Sequence, residues 1–314
     1  MKNNRMYVFF GGWSSYTLNP LYVYMKEQGY SCVEITPDTC SDMKMALLTL
    51  SAKEFVFITS AHFCVDETHI DFQNTPYTLS ALEAMDILRP VKSVYYPHDL
   101  TELNYEFDSP WLNSVVDIIL CPIDGYAHLS CYGKLICNVG WIKKKNKIGK
   151  GIRFQVGHGF SELNYYKNIF GFDKMYAKFR DIWEQGVTVK IPSWGKFQEE
   201  YYNFFIQNNI NYIDSSRSIF ELIETCEIML TNAITSVNIE SALSGRFTIN
   251  MLDGLIMPEE QKKYFDGLPN LEVMTVSDTV ELIKEYYRGD FIPRQGEDVL
   301  KHFDFKRAVE LITM

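Results

Sequence analysis

The 314-residue sequence lacks the features that mark several classes of protein. It contains no run of about 18 uncharged apolar residues, so we expect no transmembrane helix. Its 30 Lys and Arg against 40 Asp and Glu give a net charge of −10, which argues against nucleic acid as a partner. Its seven cysteines form no CxxC pair, so we predict reduced thiols and no metal site built from them.

The composition is that of a globular protein, with 46% hydrophobic and 15% aromatic residues. At roughly 150 residues per domain, the length predicts about two domains. The apolar run near the start, Met6–Phe10, ends in two glycines and is shorter than the core of a signal peptide. We therefore interpret this run as a first β-strand and expect a cytoplasmic protein.

Short β-branched and aromatic runs alternate with helical stretches along the chain. The predicted strands are Met6–Phe10, Ser31–Ile35, Phe55–Thr59, Ser93–Tyr96, Asp117–Leu120, Leu135–Val139, Ile152–Val156, Val187–Ile191, Asn211–Ile213, Glu227–Leu230, Phe247–Met251 and Glu272–Thr275. The predicted helices include Tyr16–Gln28, Ala81–Leu88, Phe197–Gln207, Ile219–Glu224, Val237–Leu243, Val280–Tyr287 and the tail Asp298–Thr313. Near-continuous apolar strands separated by helices are typical of a parallel sheet covered on both faces. The predicted fold class is α/β, with two tandem Rossmann-like doubly wound domains that face a central cleft.

The alternation breaks at Ile142–Gly151, where the segment IKKKNKIGKG holds five lysines and two glycines. A solvated loop is the simplest interpretation, and it is also the best domain boundary in the chain. We assign residues 1–145 to a first domain and 146–314 to a second, with the last helix free to pack back on the first domain. The lysines of Lys143–Lys150 leave open a peripheral contact with the inner face of a membrane, whose lipids are anionic.

In open parallel sheets, ligands bind beyond the carboxyl ends of the strands, so the residues that follow each strand are the candidates. After the first strand, Gly11 and Gly12 let a backbone approach a ligand closely, although a tight turn explains them equally well. After the fourth strand come His98 and Asp99, and a carboxylate can orient a histidine as a general base. In the second domain, His158 stands between two glycines that we expect to present it without crowding.

The most informative passage is Cys226–Asn250, CEIMLTNAITSVNIESALSGRFTIN. A buried strand leads through a small polar loop to Thr235 and Ser236, which can cap the next helix. Glu240 lies four residues after Ser236 and so shares its helix face. The helix start suits a phosphate and the carboxylate suits the hydroxyls of a ribose, while an ordinary capped helix remains the alternative. Lys190, near the end of an earlier strand, could pair with a phosphate, and Tyr212 and Ile213 end the strand that follows it.

The stretch from Ile228 to Asn250 resembles the nucleotide-binding half of GT-B glycosyltransferases. That superfamily also includes nucleotide-sugar 2-epimerases and the polyol-phosphate transferases of teichoic acid and capsule synthesis. The resemblance implies that Thr235 and Ser236 contact the donor pyrophosphate and that Glu240 holds the ribose. It also implies that the loop from Tyr212 lines the base, that His158 faces the donor phosphates, and that His98 or Asp99 is the general base. The sequence departs from the family at Gly245-Arg246-Phe247, where Gly-Lys/Arg-Pro is usual.

Three functional hypotheses follow from the resemblance. The first is an inverting, metal-independent glycosyltransferase of glycan or surface-polysaccharide synthesis, whose substrates are a nucleotide-sugar donor and a glycan or lipid-linked acceptor and which needs no further cofactor. The second is a CDP-polyol phosphotransferase, in which His98 and His158 would flank a phosphodiester. The third is a non-catalytic module that binds a nucleotide-sugar. A 2-epimerase is a further enzyme option, although the Lys/Asp/Glu set it needs is not evident in the first domain.

Overall fold

A computed structural model describes the protein as two compact units. The described residues are 5–10, 15–35, 54–60, 85–86, 89–98, 100, 116–123, 135–144, 153–159, 163–191, 198–232, 235–251 and 268–314. The first unit comprises Met1–Lys144 with Lys301–Met314, and the second comprises Lys145–Leu300. Among the described residues, no helix combines the length and the apolar character needed to cross a bilayer.

The first unit contains a parallel sheet of six strands in the order β2-β1-β3-β4-β5-β6. Its elements are β1 (Met6–Phe10), α1 (Ser15–Glu27), β2 (Ser31–Ile35), β3 (Phe55–Thr59), β4 (Lys92–Tyr95), β5 (Ile118–Cys121), β6 (Leu135–Asn138) and the last helix of the chain (Phe305–Thr313). The central strand β3 is buried along its whole length, and its neighbour β1 is buried after its first residue. Strands that are buried on both faces have continuous apolar sequences. This is why the segments MYVFF and FVFIT could be recognised as strands from the sequence.

The end of the chain belongs to the first unit because backbone hydrogen bonds hold it beside the residues that follow β6. Trp141 N donates to Lys301 O at 2.8 Å, and Asp304 N donates to Val139 O at 2.7 Å. The sequence-based division placed residues 301–314 in the second domain, with a return to the first as an option. The structure groups them with the first unit.

A buried tyrosine supports this junction. The Tyr96 hydroxyl donates to Gly140 O at 2.9 Å and accepts from Ile142 N at 2.9 Å. Its ring stacks on Trp141 with the centroids 5.8 Å apart and meets Phe303 edge-on at 5.3 Å. The junction is therefore both hydrogen-bonded and apolar.

The first two lysines of the predicted solvated loop are built into the first unit. Lys144 is only 7% exposed, and its carbonyl lies 3.3 Å from His302 Nδ1. The Lys143 ammonium lies 5.2 Å from the centre of the Trp141 ring and donates to the carbonyl of His98. The solvated interpretation is therefore wrong for Lys144, because its place beside the chain end removes it from water. The rest of the lysine-rich segment lies outside the described residues.

The second unit contains another parallel six-stranded sheet, in the order β12-β11-β10-β7-β8-β9. Its elements are β7 (Phe154–Gly159), α2 (Leu163–Trp183), β8 (Thr188–Lys190), α3 (Gln198–Gln207), β9 (Tyr212–Ile213), α4 (Ile219–Ile223), β10 (Cys226–Thr231), α5 (Ser236–Leu243), β11 (Phe247–Met251), β12 (Leu271–Met274) and α6 (Val276–Arg288). Counted within the unit, this is the strand order 6-5-4-1-2-3 of the Rossmann fold read from the opposite edge. The structure confirms the predicted α/β class.

All twelve predicted strands are present, most of them within one residue of their predicted ends. The largest difference is β7, which continues to Gly159, whereas the sequence analysis ended it at Val156. The long helix Leu163–Trp183 was not named, and it contains a kink at Gly171 that interrupts its periodicity. Of the predicted helix Ala81–Leu88, only residues 85–86 are described, and they are helical.

We predict that a methyl group at Gly140 destabilises the junction with the chain end. A Cβ there would lie 2.2 Å from His302 O, whereas a Cβ on Gly29 would meet nothing within 4 Å. Both glycines have the same left-handed backbone, with φ of 81° and 82°, so Gly29→Ala measures the backbone cost alone. That cost is about 1 kcal/mol, and Gly140→Ala should exceed it by roughly 1–3 kcal/mol because the chain end must move.

Urea unfolding of the two variants measures the difference. Equal losses of unfolding free energy would contradict the proposed tightness of this junction.

Candidate functional site

The strand order of the second unit contains a topological switch point between β7 and β10. The two strands are neighbours, with Leu230 paired to His158 and Thr231 paired to Gly159. The chain leaves β7 toward β8 on one side and leaves β10 toward β11 on the other. Ligands of open parallel sheets bind beyond the carboxyl ends of the strands at such a point. The candidate site is therefore the edge of the sheet at which His158, Thr231 and the start of α5 meet.

The amino end of α5 points its first amides into this edge. Thr235 is the N-cap residue, as predicted, and its backbone N–H donates to Asn238 Oδ1 at 3.0 Å. Ser236 is the first helical residue and is half-buried. The helix dipole and the amides of a first turn make such an end favourable for an anion.

Two glycines in β7 let the helices lie close to the sheet. A Cβ on Gly157 would lie 2.7 Å from Leu222 of α4, and one on Gly159 would lie 2.7 Å from Val237 of α5. The expectation that these glycines present His158 without crowding is wrong, because Gly157–Gly159 is part of the strand β7 and His158 is fully buried. Their small size instead allows α5 to approach the sheet.

His158 is an interior residue rather than an exposed one. It is fully buried, and its Nδ1 accepts a hydrogen bond from Trp183 Nε1 at 3.2 Å. Burial lowers the pKa of His158 to about 3, and the side chain of Asn232 opposes this shift. The ring is therefore neutral near pH 7, so it supplies no positive charge to a phosphate.

Buried polar side chains stand at the ends of β10 and β11. Thr231, Asn232 and Asn250 are all 0% exposed. The Thr231 hydroxyl contacts Asn250 Oδ1 at 3.2 Å and Ile249 O at 3.3 Å. Within the described part of the chain, the amide nitrogens of Asn232 and Asn250 have no acceptor. Buried N–H donors without acceptors are costly, and they mark places where a ligand can supply the acceptor.

Glu240 lies one turn into α5 and is only 2% exposed. Carboxylates are seldom buried to this extent unless they are paired or hydrogen-bonded. The neighbouring turn is held to the sheet by Thr248, whose hydroxyl donates to Ser241 Oγ at 2.8 Å. The carboxylate is therefore carried on a helix that the sheet holds in place.

Lys190 lies at the carboxyl end of β8 and holds backbone groups. It is 5% exposed, and its ammonium donates to the carbonyl of Ile191 and, at 3.4 Å, to that of Ser215. Burial lowers the pKa of Lys190 to about 8, and the carboxylates of Asp214 and Glu221 oppose the shift. These contacts with backbone carbonyls are structural, and the predicted phosphate contact stays a prediction.

The loop after β9 is rigidly organised. Ile213 is buried, whereas Tyr212 is 37% exposed and packs 5.5 Å from the ring of Tyr202. The Tyr202 hydroxyl lies 3.0 Å from Asp214 Oδ2 and accepts from Ser215 N at 3.1 Å. Hydrogen bonds from Ser216, and then from Tyr202, lower the pKa of Asp214. The predicted base-lining loop thus presents a fixed backbone.

The structure gathers several predicted residues at one edge of the second sheet: His158, Lys190, Ile213, Thr235, Ser236 and Glu240. Asp99, Gly11 and Gly12 lie outside the described residues. His98 is described in the first unit, half-buried, and its carbonyl accepts from Lys143. Within the described ranges, no group of three or more His, Cys, Asp or Glu could hold a metal ion.

Sequence reasoning missed three polar side chains of this region: Trp183, Asn232 and Asn250. Asn232 and Asn250 each stand at the end of a predicted strand. That position could have identified them as candidate site residues, whereas the residue type alone did not. Trp183 is 25 residues from His158 and ends a helix that the sequence analysis did not name, so no local pattern joins the two.

Comparison with known proteins adds a fold-level result. No family model matches the chain, and no curated protein matches it by sequence. Among solved structures, the S. aureus protein MnaA with UDP has a TM-score of 0.60 at 11% identity, covering 99% of this chain and 96% of that one. A Listeria monocytogenes protein assigned as a UDP-N-acetylglucosamine 2-epimerase has a TM-score of 0.52 at 12% identity, covering 98% and 95%.

A third structure, the spinosyn forosaminyltransferase SpnP, has a TM-score of 0.50 at 11% identity, covering 99% of this chain and 100% of that one. The chain has the GT-B fold. Its structural neighbours are glycosyltransferases and nucleotide-sugar epimerases, and at these identities the likeness extends to the fold and no further.

We predict that Lys190→Met removes a pH dependence of stability. Below pH 8 the ammonium is charged in both states, and the cost of burying it is fully present. Between pH 8 and the ordinary value of 10.5, the folded protein loses this proton while the unfolded chain keeps it. The free energy of unfolding of the wild type should therefore rise through this window relative to the variant, on the order of 1 kcal/mol after solvent screening.

Denaturant titrations of both proteins from pH 7.5 to 10.5 test the sign. A difference between wild type and variant that does not change with pH would contradict it.

Proposed function

We propose that the protein is a glycosyltransferase that moves a sugar from a nucleoside-diphosphate donor to a hydroxyl acceptor. The observation that carries the proposal is the carboxyl end of the second sheet, which holds the amino end of α5, two buried amide donors at the ends of β10 and β11, and the buried Glu240. Helix amides suit a diphosphate, and a carboxylate suits the hydroxyls of a ribose. The fold likeness to MnaA, whose structure holds UDP, favours a uridine nucleotide.

In the proposed reaction, the acceptor oxygen attacks the anomeric carbon of the donor sugar. The acceptor proton passes to Asp99 or His98 as the new C–O bond forms. The bond from the anomeric carbon to the phosphate oxygen breaks, and its electron pair leaves with the nucleoside diphosphate. The amide of Ser236 and the dipole of α5 would stabilise the charge that develops there, which is the part of catalysis that fixed dipoles perform best.

The acceptor is proposed to be a glycan or a lipid-linked sugar. Contact with an anionic membrane through Lys145–Lys150 would serve a lipid-linked acceptor. The proposed contact with a membrane and the proposed lipid-linked acceptor therefore depend on each other.

A second candidate is a 2-epimerase of a UDP-sugar, because one of the structures with this fold is assigned to that activity. The two reactions share donor binding in the second unit and differ in products. An epimerase converts one UDP-sugar into another, whereas a transferase releases UDP only when an acceptor is present.

We expect UDP and UDP-sugars to raise the melting temperature more than GDP-, CMP- or CDP-linked compounds do. A ligand that binds only the folded state stabilises it by mass action. Product analysis then separates the alternatives: UDP released with an acceptor indicates a transferase, a new UDP-sugar indicates an epimerase, and CMP from a CDP-polyol indicates a polyol-phosphate transferase. Binding without any turnover indicates a non-catalytic module. No shift with any nucleotide would contradict the proposal.

We predict that Glu240→Gln removes the preference for a ribose. Hydrogen bonds to a charged group are worth about 1.5–3 kcal/mol, so UDP affinity should fall roughly tenfold to a hundredfold. The wild type should bind UDP more tightly than 2′-deoxy-UDP, and the variant should bind the two almost equally. Glu272→Gln, an exposed position on β12, is the matched control.

Isothermal titration calorimetry of both nucleotides gives the two ratios. A variant that keeps the wild-type preference would remove Glu240 from the ribose site.

A further inference from the structure

The main-chain N–H and carbonyl of Ser215 are each held by a side chain from another element. Ser215 is the second residue after β9 and is only 7% exposed. Its N–H donates to the hydroxyl of Tyr202, on α3, at 3.1 Å. Its carbonyl accepts from the ammonium of Lys190, on β8, at 3.4 Å. Buried main-chain groups need hydrogen-bond partners, so the path of the chain at Ser215 depends on these two side chains.

The Tyr202 hydroxyl is fixed by its own contacts. The ring of Tyr202 packs against Tyr212, with the ring centroids 5.5 Å apart. The hydroxyl oxygen lies 2.8 Å from Ser215 Oγ and 3.0 Å from Asp214 Oδ2, so its proton has an acceptor while the oxygen accepts from Ser215 N. The other carboxylate oxygen of Asp214 accepts from Ser216 N at 2.8 Å. Tyr202 therefore connects α3 to Asp214 and Ser215 directly, and to Ser216 through Asp214.

Lys190 connects the same peptide to β8. Its ammonium also donates to the carbonyl of Ile191, and within the described ranges it forms no ion pair. A buried charge that loses a hydrogen bond is poorly compensated, so both contacts with carbonyls resist breaking. We call Tyr202 and Lys190, which hold the two ends of one peptide, the Ser215 clamp.

The loop that contains Ser215 lies at the same end of the sheet as the start of α5. Ile213 pairs with Lys190, and Lys190 pairs with Gly159. Gly159 pairs in turn with Thr231, so one row crosses β9, β8, β7 and β10. Three strand spacings of about 4.8 Å make this row about 14 Å long. An extended nucleoside diphosphate is of similar length, so phosphates at the start of α5 leave the base near the loop after β9.

Two main-chain groups of this loop are available to a ligand. The N–H of Asp214 and the carbonyl of Ser216 have no hydrogen-bond partner in the part of the chain that the structure describes, and both residues are exposed. Uracil, like thymine, presents an acceptor at O4, where cytosine presents an amino donor. A main-chain N–H in a fixed position can therefore distinguish the two bases.

We propose that Tyr202 and Lys190 are positioning residues for base recognition, which hold the Ser215 peptide and thereby fix the main-chain groups of Asp214 and Ser216 that contact the base. This inference rests on the proposed function for the identity of the ligand. It assigns Lys190 to the base end of the nucleotide, whereas the sequence analysis predicted a phosphate contact. The two assignments differ in the response that they predict to a ligand without a base.

Amide hydrogen exchange of the full chain tests the Ser215 clamp without any ligand. Tyr202→Phe keeps the ring and removes the acceptor of the Ser215 N–H, so this amide should exchange at least about tenfold faster. Tyr287→Phe removes the hydroxyl of an exposed tyrosine on α6 and should leave the Ser215 amide unchanged. The same exchange rate in wild type and Tyr202→Phe would overturn the clamp.

Calorimetric titration with UDP, CDP and inorganic pyrophosphate tests base recognition. The wild type should bind UDP more tightly than CDP. In Tyr202→Phe, the affinity for UDP should fall about tenfold, toward that for CDP, while pyrophosphate should bind within about twofold of wild type. Equal losses for UDP and pyrophosphate, or an unchanged ratio of UDP to CDP affinity, would overturn the proposal.

Lys190→Met distinguishes the two assignments of Lys190. As part of the Ser215 clamp, its loss should weaken UDP binding roughly threefold to tenfold and leave pyrophosphate binding unchanged. A parallel loss of pyrophosphate affinity would place Lys190 at a phosphate and remove it from the clamp. Lys174→Met, at an exposed position on α2, is the matched control. Melting temperatures establish that each variant is folded at the temperature of the titration.

Failure of this inference differs from failure of the proposed function. A wild type that binds neither UDP nor pyrophosphate would overturn the proposed function and the assignment of the base with it, while hydrogen exchange would still decide the clamp. A wild type that prefers UDP, together with a Tyr202→Phe variant that keeps the preference, would overturn this inference alone.

Discussion

The parallel pairing of β10 against β7 is the constraint on which the second unit depends. It sets Leu230 beside His158 and Thr231 beside Gly159, and so brings the ends of two chain-distant strands to one edge. Gly157 and Gly159 make the pairing compatible with helices, because larger residues there would collide with Leu222 and Val237. The position of α5, and of every candidate ligand contact on it, follows from this close approach.

The same edge carries an unusual concentration of buried polar groups. Thr231, Asn232, Asn250 and Glu240 stand where an ordinary core would hold aliphatic side chains. Buried polar groups reduce stability unless hydrogen bonds compensate, so a fold keeps them where they serve binding. The apolar layer around Val156 and Phe179 supplies the stability that allows this departure. His158 lies between the apolar layer and the buried polar groups, and its neutral ring accepts a hydrogen bond from the Trp183 indole.

Much of the architecture was predictable because buried parallel strands consist of continuous apolar runs, which can be recognised in the sequence. MYVFF and FVFIT are such runs, and each is a strand; β10, CEIMLT, has the shorter apolar run Ile228–Leu230. The helix cap at Thr235 was equally predictable. A Ser or Thr just before a helical apolar pattern marks a helix start, because its side chain can accept a hydrogen bond from the first turn. The helix Leu163–Trp183 was harder to identify because Gly171 breaks its period. Burial of Lys144 was not foreseeable, since its partner His302 lies 158 residues away.

By itself, the sequence determined the fold class, the order of the strands along the chain and the residues that start α5, because these depend on local periodicity and capping. Only the tertiary structure decided that the Gly-His-Gly stretch is strand, that Lys190 holds carbonyls, and that Trp183 reaches His158. Each of these depends on contacts between residues far apart in the chain. Hydrogen-bond partners and burial are properties of the packed molecule, and no short window of sequence encodes them.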